Sequence, residues 1–223
     1  MQTIIKQKRR EAGFTLVELL VGMLLSVVVL GGAYSVYRVQ AREFKVQDNR
    51  LEAQEYAQAV TDLMVREIRN AGSFPAGACT TSPANTAGII TASDQTFRFV
   101  YDADALNGCA AANENITYSF DTITSGCAAD LGNIMRTDTN ISATPQPLTD
   151  CNVPTGTTNF SFAYYDKDSN LFATPVLPAN LANIKRVKVT VTVKSKNADP
   201  VFGGQLTTTM TSNADLRNSG LAS

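Results

Sequence analysis

The chain has 223 residues, a formal net charge of -1 and 44% hydrophobic residues, which is room for one apolar anchor and one domain with its own core. It contains no histidine and no tryptophan, so the commonest general base and the commonest zinc ligand are both missing, which counts against catalysis. The near-neutral charge gives no electrostatic footing for nucleic acid, whose binders carry a strongly basic face.

Residues 1–13, MQTIIKQKRREAG, set Lys6, Lys8, Arg9 and Arg10 against Glu11 alone. From Phe14 to Tyr37 the chain is uncharged except for Glu18. As a helix this run spans about 36 Å, enough to cross a bilayer. The basic cluster fixes the N-terminus on the cytoplasmic side and sends the remainder outward. An ordinary secretory signal has an apolar core of about 7–15 residues ending at an A-x-A-like site. This run is longer, and Ala33-Tyr34-Ser35 is a poor cleavage site. A plain signal anchor leaves Glu18 unexplained, because a carboxylate deep in a bilayer costs about 2.5–3.5 kcal/mol on insertion scales and is usually paired.

Gly13-Phe14-Thr15-Leu16-Val17-Glu18, following a short basic leader and opening an apolar run, resembles the type IV prepilin signal. The resemblance implies cleavage after Gly13 by a membrane-embedded prepilin peptidase and N-methylation of the new Phe14 terminus. It also implies a role for Glu18, which in that family pairs with the N-terminal amine of a neighbouring subunit. Four residues separate Phe14 from Glu18, one helical turn on the same face. A buried ion pair of this kind serves register better than stability. Gly22, Gly31 and Gly32 would let helices approach closely, or are ordinary transmembrane composition.

From Arg38 the same helix is expected to continue, since no proline occurs before Pro75 and the segment is dense in helix formers. Ala53, Ala57, Val60, Met64, Ile68 and Ala71 recur at steps of three or four, an apolar stripe expected to pack against the rest of the domain. Before Ala53 the pattern is weaker, and Arg38 to Glu52 reads as a solvated stalk. Asn70-Ala71-Gly72 followed by Pro75 reads as the helix stop.

Beyond it the period becomes two. TFRFVY (96–101), ENITYSFD (114–121), TNFSFAYYD (158–166) and IKRVKVTVTVKSK (184–196) read as strands, with GNIMRTD (132–138) and QLTTTMTS (205–212) as weaker ones. In the clearest, Ile184, Val187, Val189, Val191 and Val193 mark one face and Arg186, Lys188, Thr190 and Thr192 the other. Loops rich in Gly, Ala, Asn, Thr and Pro are expected at 75–88, 102–113, 138–158 and 167–183. The fold class is therefore α+β, one long helix carrying an antiparallel sheet.

All four cysteines, Cys79, Cys109, Cys127 and Cys151, lie beyond the apolar segment; none forms a C-x-x-C pair and no histidine could complete a metal site. An even count in an exported domain favours two disulfides over free thiols. Three connectivities are open, and pairing 79 with 109 and 127 with 151 needs the fewest crossings.

Further along, DLMVREIRNAGSFP, ENITYSF, GNIMRT, NFSFAYYDKDSNL, IKRVKVTVTVKSKNADP and LRNSGL occur in an order that resembles PilW-like minor pilins of type IV pilus systems. Two departures set the chain apart from major pilins: Ala33-Tyr34-Ser35-Val36 lacks the proline often found there, and no cysteine follows Cys151 to close a C-terminal loop. Both fit a low-copy subunit.

Other constellations are weaker. DKDSN places Asp166, Asp168 and Asn170 like the opening of a calcium loop, but Leu171 stands at the turn-glycine position and Leu177 at that of the bidentate glutamate, so a polar turn is expected. Asp102 and Asp104 could form a carboxylate pair, but no nucleophile accompanies them, and a surface loop is expected. The basic face of 184–196 reads as a solvated strand edge rather than a DNA site. Tyr164 and Tyr165 read as a core-and-surface pair.

Together these imply a leader (1–13), a transmembrane half-helix (14–37), a periplasmic amphipathic half (38–72) and a β-rich head (73–223). No catalytic residue, metal, cofactor or small-molecule substrate is expected. The resemblance implies a minor pilin that primes pilus assembly, held in the bacterial inner membrane with its head in the periplasm and then displayed on the pilus at the cell surface. Its expected partners are the prepilin peptidase, other minor pilins, the major pilin and the inner-membrane assembly platform. A GspJ-like pseudopilin of a type II secretion system shares the same signal and helix, and a tip-displayed adhesin or DNA-binding module is a third possibility.

Overall fold

The computed structural model describes residues 13–74, 79, 88–104, 109–122, 126–198 and 203–217. The chain divides into two compact units, Met1–Lys45 and Val46–Ser223. One helix, α1 (Leu16–Ile68), runs through both. It is long because nothing in the sequence stops it: no proline interrupts it, and interior glycines weaken a helix by only about 1 kcal/mol each. In the first unit its described residues are exposed, apart from a half-buried Ala41.

In the second unit α1 buries one stripe, comprising Ala53, Ala57, Val60, Met64 and Ile68 as the apolar period predicts, together with Val46, Asn49, Thr61 and Val65. Val46 and Asn49 correct the expectation of a solvated stalk up to Glu52, because one turn of that segment already presents a covered face. Past Ile68 the chain tightens into a turn, with Asn70 N–H donating to Glu67 O at 3.0 Å, and Gly72 adopts φ 75°. That left-handed glycine is the helix stop. Gly72 N–H then donates to Val100 O, and Val100 N–H to Gly88 O. The approach is so close that a Cβ on Gly88 would lie 2.1 Å from Gly72 Cα.

Nine strands follow among the described residues. In the first sheet β1 (Ile89–Ala92), β2 (Thr96–Val100), β3 (Asn115–Asp121), β4 (Leu131–Asp138) and β5 (Gln146–Pro147) lie in that order, and β6 (Val153–Pro154) also pairs with β4. The second sheet orders β7 (Phe160–Tyr165), β8 (Arg186–Ala198) and β9 (Gln205–Asp215). All these pairings are antiparallel. The strands expected from alternation are present within two or three residues of their predicted ends. β1, β5 and β6 are additional, as is a 3-10 turn at Pro178–Asn183 inside an expected loop. The expected loop at 75–88 falls mostly outside the described residues.

Alternation decides what is inside. Phe97 and Phe99 of β2, Ile116 and Tyr118 of β3, Phe160, Phe162 and Tyr164 of β7, and Val187, Val189, Val191 and Val193 of β8 are all buried with the stripe of α1 in one core. Phe97 joins the two sheets, its ring centroid 5.5 Å from those of both Phe162 and Tyr164. The β1–β2 turn fastens the same seam: Phe162 N–H donates to Asp94 O at 2.7 Å, and the Tyr164 hydroxyl to Ser93 O at 2.8 Å. The end of the described chain returns to the helix, with Leu216 in the core and Arg217 N–H donating to Arg69 O at 3.3 Å. Disulfides join Cys79 to Cys109 and Cys127 to Cys151, each between consecutive cysteines of the sequence.

Candidate functional site

The segment Gly13–Glu18 stands at the start of α1. Phe14 is 85% exposed, and a Cβ on Gly13 would meet nothing within 4 Å. Thr15 is the helix N-cap. Its hydroxyl accepts from Glu18 N–H at 3.2 Å, while a Glu18 carboxylate oxygen accepts from both the N–H and the hydroxyl of Thr15 at 3.0 Å. This reciprocal arrangement, T-x-x-E, is a capping box that satisfies two amides the helix cannot pair internally. The motif is readable in Thr15-Leu16-Val17-Glu18, but the electrostatic interest of a carboxylate beside an apolar run hides it. Within the described chain, Glu18 is bonded to Thr15 and has a structural task of its own.

Downstream, α1 is long and apolar enough to cross a membrane, with a mean hydropathy of 2.3 over its best 18 residues, none of them buried. Its two serines are satisfied within the helix: the Ser26 hydroxyl donates to Gly22 O and the Ser35 hydroxyl to Gly32 O, each at 2.7 Å. Arg38 lies over the Tyr34 ring at 5.9 Å. This pair ends the apolar run in the manner of an interfacial belt. A Cβ on Gly22, Gly31 or Gly32 would meet nothing within 4 Å, so among the described residues no contact requires those glycines.

In the head, the polar groups are clasps. Glu67, in the last turn of α1, receives Arg136 of β4 through Nη2 at 3.0 Å and Nε at 3.1 Å, and the Tyr118 hydroxyl of β3 as well. Burial, reinforced by the Glu67 charge, pushes the Tyr118 phenol well above its usual range, and burial together with Glu67 raises Tyr101 to about 12. For Arg136 burial pulls downward, but Glu67 outweighs it and holds the guanidinium charged.

Asp102 is buried, 2% exposed, which corrects the expectation of a surface loop. It lies with Asp104 and Glu114 so that one carboxylate oxygen from each falls within 4.8 Å of the others. Glu114 is already engaged, accepting the N–H groups of Ala103 at 2.8 Å and Ala111 at 2.7 Å, so it organises the surrounding loop. Asp166 likewise accepts from the amides of Asp168 and Asn170 and from the Asn170 side chain, all at 2.8 Å. That is the polar turn expected of DKDSN. Tyr164 is buried and Tyr165 half-buried. A concavity of about 340 Å³ lies between α1 and β8, lined by Glu52, Tyr56, Asp150, Asn152, Lys194 and Lys196. Its charges are mixed in sign, and the Ser195 hydroxyl that also lines it is engaged, donating to Asn197 O at 2.7 Å and accepting from Leu206 N–H at 3.0 Å.

Residues 8–34 match the family model for the prokaryotic N-terminal methylation motif. Neither a curated protein nor a solved structure matches the chain. The matched motif, the apolar helix and the disulfide-bonded α+β head support a type IV pilin-like or pseudopilin protein, anchored in a membrane through α1.

Proposed function

We propose that this chain is a PilW-like minor pilin that joins a tip or priming complex and starts polymerisation of the major pilin. The observation carrying this reading is the methylation motif at 8–34 opening directly into an exposed apolar helix, with the head built on the other half of that helix. In this reading the prepilin peptidase cuts between Gly13 and Phe14, and Phe14 is then N-methylated. Residues 14–37 hold the protein in the inner membrane, N-terminus inward and head in the periplasm, until the assembly platform extracts it.

Cleavage leaves Thr15 and Glu18 in place, so the capping box survives processing. The new Phe14 amine is one turn from Glu18, and in the fibre Glu18 exchanges its local acceptor role for the amine of a neighbouring subunit. Gly22, Gly31 and Gly32 support packing between subunits, since nothing among the described residues uses their smallness. The work is done by surfaces, and no step involves chemistry on a substrate.

The test uses a strain lacking both this gene and pilus retraction, scored for surface pili and secreted proteins together. Loss of pili with an intact secretome is the expected result. Normal pili with secreted enzymes trapped in the periplasm would instead assign the chain to a type II secretion machine as a GspJ-like pseudopilin.

A further inference from the structure

We propose that β9 is a docking edge for a second copy of this chain, the two β9 strands pairing antiparallel about Met210. The inference rests on the head alone and is independent of which machine α1 serves.

Among the described residues β9 pairs only with β8, so its other edge carries unpaired backbone groups. Which groups these are follows from the register. Leu216 N–H donates to Lys185 O, and the same phase makes Val187–Ala214, Val189–Ser212, Val191–Met210 and Val193–Thr208 the mutually bonded pairs. Thr207, Thr209, Thr211 and Asn213 therefore turn their N–H and C=O groups outward.

Sheet edges are normally blunted by shortness, by charge, by proline or by a covering segment. The other outer strands obey this rule. β7 is covered where Asp94 O takes Phe162 N–H, and β1 is four residues long with a register break. β9 runs for eleven residues with no proline and no lysine or arginine. Its register irregularity lies at the Gln205 end, and its only charge, Asp215, is at the other end, paired with Arg186 at 2.6 Å.

The edge is self-complementary. Centring two copies on Met210 sets Thr207 opposite Asn213 of the partner subunit and Thr209 opposite Thr211 of the partner subunit. Every outward-turned residue then meets an outward-turned residue, giving about eight new backbone hydrogen bonds. Asp215 meets a glutamine, and no like charges oppose one another. On the core-side face Leu206 and Met210 are only half-buried, although Met210 packs against the core. A second β9 covers both and joins two three-stranded sheets into one of six, an isologous contact.

The experiment uses the full chain in detergent micelles. Met210 and its counterpart form a non-hydrogen-bonded pair with Cα atoms about 4.5 Å apart, within disulfide reach. Met210→Cys is expected to give a covalent dimer under mild oxidation, about tenfold faster than Asn213→Cys. Thr209→Pro and Thr209→Lys keep the backbone ladder to β8, because the Thr209 N–H points away from it, and remove only the hydroxyl contact between Thr209 and Thr192 at 2.8 Å, a loss that Thr209→Val shares and so controls for. The proline and lysine variants should reduce the dimer seen by light scattering about tenfold or more, with circular dichroism confirming the fold. Three results would overturn the proposal: a monomer at all concentrations, a dimer that survives Thr209→Pro and Thr209→Lys and so belongs to the apolar helix, or Met210→Cys linking only to a different protein in cells.

Discussion

Replacing Arg136 by leucine probes how α1 is fastened to its sheet. Arg136 and Glu67 meet through two hydrogen bonds, with side chains 17% and 15% exposed, and Tyr118 donates to the same carboxylate. Removing only the arginine strands a carboxylate in a nearly dry site with one neutral donor. Orphaning a buried charge costs about 3–5 kcal/mol, and the residual exposure places this case at about 3. Replacing Glu67 and Arg136 together by leucine leaves the buried Tyr118 hydroxyl unpaired, about 1 kcal/mol, and returns the exposed Asn113 side chain, which Arg136 also bonds, to water. The double variant is therefore expected to be about 2 kcal/mol more stable than the Arg136→Leu single variant. Urea unfolding of the micelle-bound chain, followed by circular dichroism at wavelengths reporting the strands, measures both. In thermal scans a head of this size loses about 2–4 °C per kcal/mol, so Arg136→Leu should lower the midpoint by about 6–12 °C. A single variant within 1 kcal/mol of the parent, or a double variant as damaged as the single, would refute the clasp.

Thr15→Ala removes half of the capping box and should speed amide exchange over Leu16–Glu18 by about fivefold, whereas Glu18→Gln keeps an acceptor and should change it much less; equal exchange in all three proteins would rule out the cap. Glu18→Val should leave cleavage at Gly13 intact while impairing assembly, and normal fibres from this variant would remove the assembly role of Glu18. The disulfides bridge separations of 30 and 24 residues, for which the chain-entropy relation gives about 3.5 kcal/mol each; paired serine replacement of Cys127 and Cys151 should lower head stability by that order, and an unchanged urea midpoint would contradict it. Alkaline difference spectra should show Tyr118, Tyr164 and Tyr101 ionising late, Tyr101 at about 12. These phenols hold their protons more tightly folded than unfolded, so their stabilisation is full below pH about 10 and is lost as the pH rises toward 12 and beyond. A single transition near 10 for every tyrosine of the folded protein would exclude this.

What could be read from the sequence divides along physical lines. The stripe from Ala53 to Ile68 and the faces of β8 are legible because burial imposes a period on residues adjacent in sequence. β1 is not: Ile89 to Ala92 is four residues with a register break and no alternation. β5 and β6, two residues each, are too short to carry a pattern. The burial of Val46 and Asn49 depends on a surface supplied by other elements. The meeting of Glu67 with Arg136 is invisible for the same reason, since the two are 69 positions apart. At the start of α1 the gap is one of emphasis: Thr15 and Glu18 spell a cap, and the charge of Glu18 drew attention to a distant partner before the near one. Asp102 shows the converse, a polar stretch that reads as surface yet is buried by its neighbours.

The return of Arg217 to Arg69, with Ala214 and Leu216 in the same core as Ala57 and Ile68, has a consequence in time. For a chain threaded through a membrane from its N-terminal end, the half-helix that organises the core arrives first and waits for the last strand. Until β9 emerges, the apolar stripe has no complete cover. The two cysteine pairs follow the opposite schedule. Each joins consecutive cysteines, so both can close as the chain appears, before its end is released. In a chain so threaded, the covalent loops would restrict the waiting chain during the interval in which it is most exposed to misassembly or proteolysis, and β9 would seal a structure already half-constrained.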